Sequence, residues 1–142
     1  MKTTRKGSAV WSGGIKDGEG KISTQSGVLD DSRYGFTTRF GDEKGTNPEE
    51  LIAAAHAGCF TMALSKILGD NGLTADRMET TAAVTLEKVG EGFDITGIHL
   101  ELQGSVPDAD AGKFEELAKL AKDNCPVSKL FKAPITLSVS LN

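Results

Sequence analysis

The stretch GTNPEELIAAAHAGCFTMAL, residues 45–64, opens with the signals of a helix start. Asn47 is a favoured N-cap. Pro48 takes the first helical position, where its missing N–H does no harm, and Glu50 falls three residues after the cap. The helix is expected to run from Pro48 to about Leu68, with GDNG (69–72) as its stop. Its middle is apolar on every side, which predicts burial all round. In a chain of 142 residues, part of the cover for such a helix can come from a second subunit. His56 and Cys59 sit in that apolar middle, with Glu49 and Glu50 at the start.

Before this helix the chain reads as short strands joined by glycine turns. KDGEG (16–20) is a turn between the strand candidates SAVW (8–11) and KISTQSGV (21–28). YGFTTRF (34–40) is read as a third strand, with Phe36 and Phe40 on one face and Arg39 on the other. After the helix, TTAAVTLEKV (80–89), GEG (90–92) and FDITGIHLELQGSV (93–106) form a hairpin pattern. The apolar phase shifts at Gly97, which predicts a bulge there. A second helix is expected over about Asp110–Lys122, with Phe114, Leu117, Ala118 and Ala121 on one face. Pro126 restarts a short helix after Cys125, and Ile135, Leu137, Val139 and Leu141 alternate as a final strand. The order gives an α+β fold: N-terminal strands, a long buried central helix, a hairpin, a second helix and a last strand. No repeat or linker interrupts it, so residues 1–142 are expected to form a single domain.

Composition is that of a soluble globular protein, 38% hydrophobic and 25% charged, with a formal net charge of −4. No basic block is present to neutralise phosphates, which excludes a nucleic-acid partner at this stage. The N-terminus MKTTRKGSAVWSGG has no apolar signal region. The charge-free run Leu51–Leu64 is read as too short to span a bilayer, so no membrane partner is expected. The expected location is the cytoplasm, where a structural disulfide is unusual. There are two cysteines and no C-x-x-C pair. No cofactor is implied, and Cys59, His56 and Cys125 make a poor zinc set.

A thiol in an apolar helix has a raised pKa and is inert unless a cation or donor favours the thiolate. Arg39 is the best candidate for that partner; its competing reading is a surface ion pair. At ~100° per residue, Glu50 lies opposite Cys59, whereas Glu49 is rotated about 80° from it. Glu49 can therefore hold Arg39 near the thiol; its competing reading is a first-turn acid favoured by the helix dipole. His56, three residues before Cys59, could pair with it, but a buried neutral histidine bonded to a backbone carbonyl is the commoner case. His99 should face away from Leu100 and Leu102. Cys125, just before Pro126, stands where a helix start favours a thiolate, as a resolving or leaving thiol requires. Both cysteines can equally be small buried hydrophobes.

YGFTTRF (34–40), GTNPEELIAAAHAGCFTMAL (45–64) and NCPVSKL (124–130) together resemble the OsmC/Ohr family, the osmotically inducible and organic-hydroperoxide-resistance proteins. The resemblance covers nearly the whole chain. It is closer to the osmotically inducible branch, because Arg39 lies directly before GTNPEEL. It implies an intertwined homodimer with two sites at the interface. Cys59 matches the peroxidatic cysteine and Cys125 the resolving cysteine. Arg39 and Glu49 match the pair that positions and activates the thiolate. The implied activity is reduction of an organic hydroperoxide through a Cys59 sulfenic acid and a Cys59–Cys125 disulfide. The implied reductant is a dithiol, typically a dihydrolipoyl group on a lipoylated protein. Phe36, Phe60 and Met62 are expected as the apolar wall that favours alkyl hydroperoxides. A small apolar-ligand binding module and a redox sensor without turnover are the competing functions.

Overall fold

The computed structural model describes all 142 residues. The chain divides into two compact units, Met1–Leu51 and Ile52–Asn142.

In the first unit, β1 (Gly7–Ser12), β2 (Glu19–Thr24) and β3 (Ser32–Tyr34) form an antiparallel meander in that order. Gly20 pairs with Trp11 on one side and Tyr34 on the other. A Cβ there would lie 2.3 Å from Tyr34 Cε1 and 2.7 Å from Trp11 Cε3, so only glycine lets both rings lie across the strand.

The strand expected over residues 34–40 is instead a strand end followed by a helical turn, α1 (Phe36–Phe40). The cause is local. The Thr38 hydroxyl accepts from Gly35 N at 2.8 Å and reaches the Gly35 carbonyl at 3.1 Å, while Arg39 N donates to that carbonyl at 3.1 Å. These bonds offer the backbone an alternative to a ladder. Phe36 and Phe40 still share a face, because they are four apart on a helix, with ring centroids 5.0 Å apart.

The long helix α2 runs Pro48–Asp70. Asn47 caps it, its Oδ1 accepting from Glu50 N at 2.8 Å, while its Nδ2 donates to the Thr38 carbonyl at 3.1 Å. Burial differs from the expectation. Only the stripe His56, Phe60, Leu64 and Leu68 is buried, and Met62 is 77% exposed. One copy of the chain supplies cover for one face, and the remaining apolar faces are left open. With 23 residues and a mean hydropathy of 1.5, α2 is by length and composition long enough to cross a membrane, unlike the shorter run read from the sequence. Its packed stripe shows how such a helix also serves a globular core.

The second unit carries β4 (Arg77–Val89), β5 (Gly92–Ser105) and β6 (Ile135–Leu141), with β5 central, antiparallel to β4 and parallel to β6. The bulge falls beside Gly97: Thr85 pairs with Gly97 and Leu86 with Ile95, leaving Thr96 as the extra residue. The crossover from β5 to β6 holds α3 (Ala111–Asn124), capped by Asp110, and α4 (Pro126–Leu130). Phe60, Leu64 and Leu68 pack with Leu100, Leu102, Phe114, Leu117 and Cys125 into one core. Gly104 makes room for the Phe114 ring, whose Cζ would lie 2.5 Å from an added Cβ. The other face of the sheet is polar; there His99 Nδ1 and Nε2 bond Thr136 at 2.6 Å and Ser138 at 3.1 Å.

Candidate active site

Two pairs of the sequence-derived candidates come together, one in each unit. In the first unit Arg39 forms a two-pronged bond with Glu49: Nε donates to Oε1 at 2.8 Å and Nη2 to Oε2 at 3.2 Å. The partners follow from chain geometry. α1 ends seven residues before Asn47, and the Asn47 side chain bonds back to the Thr38 carbonyl, which holds the start of α2 beside α1. The Glu49 side chain is 13% exposed and that of Arg39 38%. Such a fork fixes the guanidinium plane more firmly than a single bond would. Phe36 and Arg39 line a cavity of about 320 Å³ with Trp11, Tyr34 and Phe40.

In the second unit Cys59 and Cys125 face each other with their sulfurs 2.9 Å apart, both as free thiols. Cys59 is half-buried on α2, and Cys125 is fully buried at the N-cap of α4. Burial pushes the Cys59 thiol up, and its hydrogen bond with Cys125 adds to this; the Val127 N–H acts the other way. Burial also acts to raise Cys125. The bonds from Cys59, from the Ser128 backbone and hydroxyl, and from the Val127 N–H outweigh it and hold that thiol below its ordinary value.

Cys59, Met62, Ala63, Ile67, Leu120 and Pro126 line a mostly apolar cleft of about 580 Å³. Met62 thus shares a wall with the half-buried thiol. Phe60 does not. It has no exposed surface and belongs to the core, because it lies on the packed stripe of α2 while Cys59 lies beside that stripe. The sequence expectation that Phe60 lines the wall is corrected accordingly.

His56 is completely buried and bonds Ser128 rather than a backbone carbonyl, with Nε2 2.7 Å from the Ser128 hydroxyl. Its ring meets Phe131 edge-on at 5.2 Å, and Nδ1 has no partner. Burial lowers the His56 pKa. Ser128 escaped the reading of the sequence. The serine three residues after a cysteine N-cap was the available signal, but its histidine partner lies 72 residues away.

A half-exposed thiol hydrogen-bonded to a buried one, at the edge of an apolar cleft on an α+β frame, defines a dithiol redox protein. Residues 41–140 match the family model described as OsmC-like protein, and the chain belongs to that family. It is 54% identical over 141 residues to the peroxiredoxin OsmC of Escherichia coli (strain K12), covering 99% of both chains. It is 30% identical over 123 residues to the organic hydroperoxide resistance protein OhrB of Bacillus subtilis (strain 168), covering 86% of this chain and 88% of the relative. Among solved structures, an organic hydroperoxide resistance protein from Elizabethkingia anophelis matches with a TM-score of 0.75 and 26% identity over the whole of both chains. The OhrB structure from Bacillus subtilis matches with a TM-score of 0.69 and 29% identity, over 99% of this chain and 98% of that one.

Proposed function

We propose that this chain is a thiol-dependent peroxidase that reduces organic hydroperoxides to alcohols. The observation that carries the reading is the 2.9 Å approach of Cys59 to Cys125 beside an apolar cleft. A disulfide of about 2.05 Å needs only a small closing movement from there. The relatives named for peroxiredoxin activity and organic hydroperoxide resistance support the substrate class.

In this reading Cys59 is the peroxidatic residue and Cys125 the resolving one. Arg39, held by Glu49, stabilises the Cys59 thiolate and orients the peroxide. The proton leaves Cys59 along its hydrogen bond to Cys125. The Cys59 thiolate attacks the distal peroxide oxygen, the O–O bond breaks, and the leaving alkoxide takes the proton now on Cys125 and departs as the alcohol, leaving a Cys59 sulfenic acid and a Cys125 thiolate. The Cys125 thiolate displaces the sulfenic oxygen as water, and the S–S bond forms. Two thiols and one hydroperoxide thus give a disulfide, an alcohol and water. A dithiol, such as the dihydrolipoyl group of a lipoylated protein, returns both thiols. Ionisation alone gains at most roughly thirty-fold over a free thiol at pH 7, so alignment and charge stabilisation must supply the rest.

The reading includes an intertwined homodimer. Ala54, Ala55, Gly58 and Met62 of α2 are exposed in one copy, an apolar surface that a second copy would cover. It also takes residues 1–142 as one OsmC-like domain, as the near-complete coverage of solved relatives supports, and places it in the cytoplasm, where reductants are available.

The test is steady-state consumption of cumene, fatty-acid and hydrogen peroxides with reduced lipoamide. The expected order puts both organic peroxides well ahead of hydrogen peroxide. A sensor would turn over poorly with any dithiol. A binding module would label slowly with thiol reagents, without response to Arg39→Ala. Either pattern would remove the peroxidase reading.

A further inference from the structure

The cleft beside Cys59 is laid along one stripe of α2. Cys59, Met62, Ala63, Lys66 and Ile67 line it, and they stand at i, i+3, i+4, i+7 and i+8, so a single helix face carries them all. Lys66 is the one charged residue in that lining. Seven residues of helix put it about 10 Å along the axis from Cys59 and turned from it by only about 20°. The stripe therefore starts at a thiol and ends at an ammonium, with Met62, Ala63 and Ile67 as apolar wall between them. Lys66 Nζ bonds Asp70 Oδ2 at 2.9 Å, with the two side chains 79% and 61% exposed. An i,i+4 pair so open to water is weak, and its lysine can exchange that partner for another anion at little cost.

We propose that Lys66 is a specificity-determining residue: its ammonium takes the carboxylate of an alkyl hydroperoxide whose hydroperoxy group meets Cys59 at the other end of the stripe. This deepens the peroxidase reading and rests on it for turnover. The spacing sets the ligand. An extended chain of about nine carbons spans about 10 Å, so the best fit carries its carboxylate some eight carbons from the hydroperoxy carbon. The methylenes between lie on Met62, Ala63 and Ile67 and leave water for an apolar wall. A carboxylate next to the hydroperoxy group would instead be carried into that wall without a partner, at a desolvation cost. An ester of the same chain keeps the apolar contact and loses the ion pair. Asp70 competes with the ligand for the ammonium, so it tempers the preference. The bonds made and broken at Cys59 are unchanged.

The experiment compares 9-hydroperoxynonanoate with its methyl ester as substrates, with reduced lipoamide as the dithiol. The quantity read is the ratio of kcat/KM for acid over ester. A surface ion pair is worth at most about fivefold in binding, so the wild-type ratio is expected at about two to five in low salt. It should fall toward one as sodium chloride rises from about 20 mM to about 1 M. Lys66→Gln should bring the ratio to about one, Lys66→Arg should keep it, and Asp70→Asn should raise it. A second readout needs no peroxide. Nonanoate should slow alkylation of Cys59 by the neutral reagent N-ethylmaleimide more than methyl nonanoate does, and Lys66→Gln should remove that difference. A wild-type ratio of one, or a preference that survives Lys66→Gln, would overturn the inference. A protein that consumes neither hydroperoxide, yet shows the Lys66-dependent protection by nonanoate, would sink the peroxidase reading and leave the anion site standing.

Discussion

Lowering the pH should destabilise this protein through one residue, His56. Its ring is completely buried, its Nε2 is committed to Ser128, and its Nδ1 faces no acceptor. A proton on Nδ1 would add a buried charge and an unsatisfied donor together. Burial accordingly lowers the folded-state pKa below the ordinary histidine value of 6.5. The sign follows from which state binds the proton. Above about pH 6.5 the ring is neutral folded and unfolded, and contributes nothing to the pH dependence. As the pH falls below that value, the unfolded chain takes up a proton that the folded chain refuses, and stability is lost. One proton gives a slope of at most about 1.4 kcal/mol per pH unit, hence about 1 kcal/mol between pH 6.5 and 5.5. For a domain of this size that is about 3 °C in Tm. Urea unfolding of the wild type and His56→Gln over pH 5.5–7.5 measures it, and the difference between the curves removes the contribution of surface carboxylates. Parallel curves, or a wild type that gains on the variant as pH falls, would refute the reasoning.

Three further outcomes are expected. Phe60→Ala should lose about 3–5 kcal/mol in denaturant unfolding, because the ring lies wholly in the core; a loss under 1 kcal/mol would contradict its placement. Asn47→Ala removes the α2 cap and a bond to the Thr38 carbonyl, and should cost about 1 kcal/mol or somewhat more in the same assay. Glu49→Gln should weaken the grip on Arg39 and lower kcat/KM for cumene hydroperoxide by at least about tenfold, with unfolding little changed.

Much of the fold was legible because it rests on local signals. Asn47, Pro48 and Glu50 mark the start of α2, and Asp110 and Cys125 the starts of α3 and α4. The period-two pattern marks β4, β5 and β6, and the phase shift beside Gly97 marks the bulge within one residue. α1 was misread as strand because Phe36 and Phe40 share a face in either conformation, and the deciding Thr38–Gly35 bonds leave no periodic trace. The burial of α2 was overestimated because an apolar helix does not say which of its faces its own chain covers. In the site, Glu49 was chosen over Glu50 by helical rotation, and the Arg39–Glu49 fork has that partner. Phe60 was misplaced because adjacency to Cys59 in sequence puts it about 100° around the helix, toward the core. Ser128 was invisible because its meeting with His56 depends on how the crossover between β5 and β6 returns to α2.

The most direct measurement is a single-turnover oxidation of the reduced protein with one equivalent of cumene hydroperoxide, read by intact mass and peptide mapping. Loss of two hydrogens per chain, with the Cys59 and Cys125 peptides joined within the same chain, is the expected result. Two thiols that survive excess hydroperoxide, or a Cys59 that oxidises while Cys125 stays free, would contradict it.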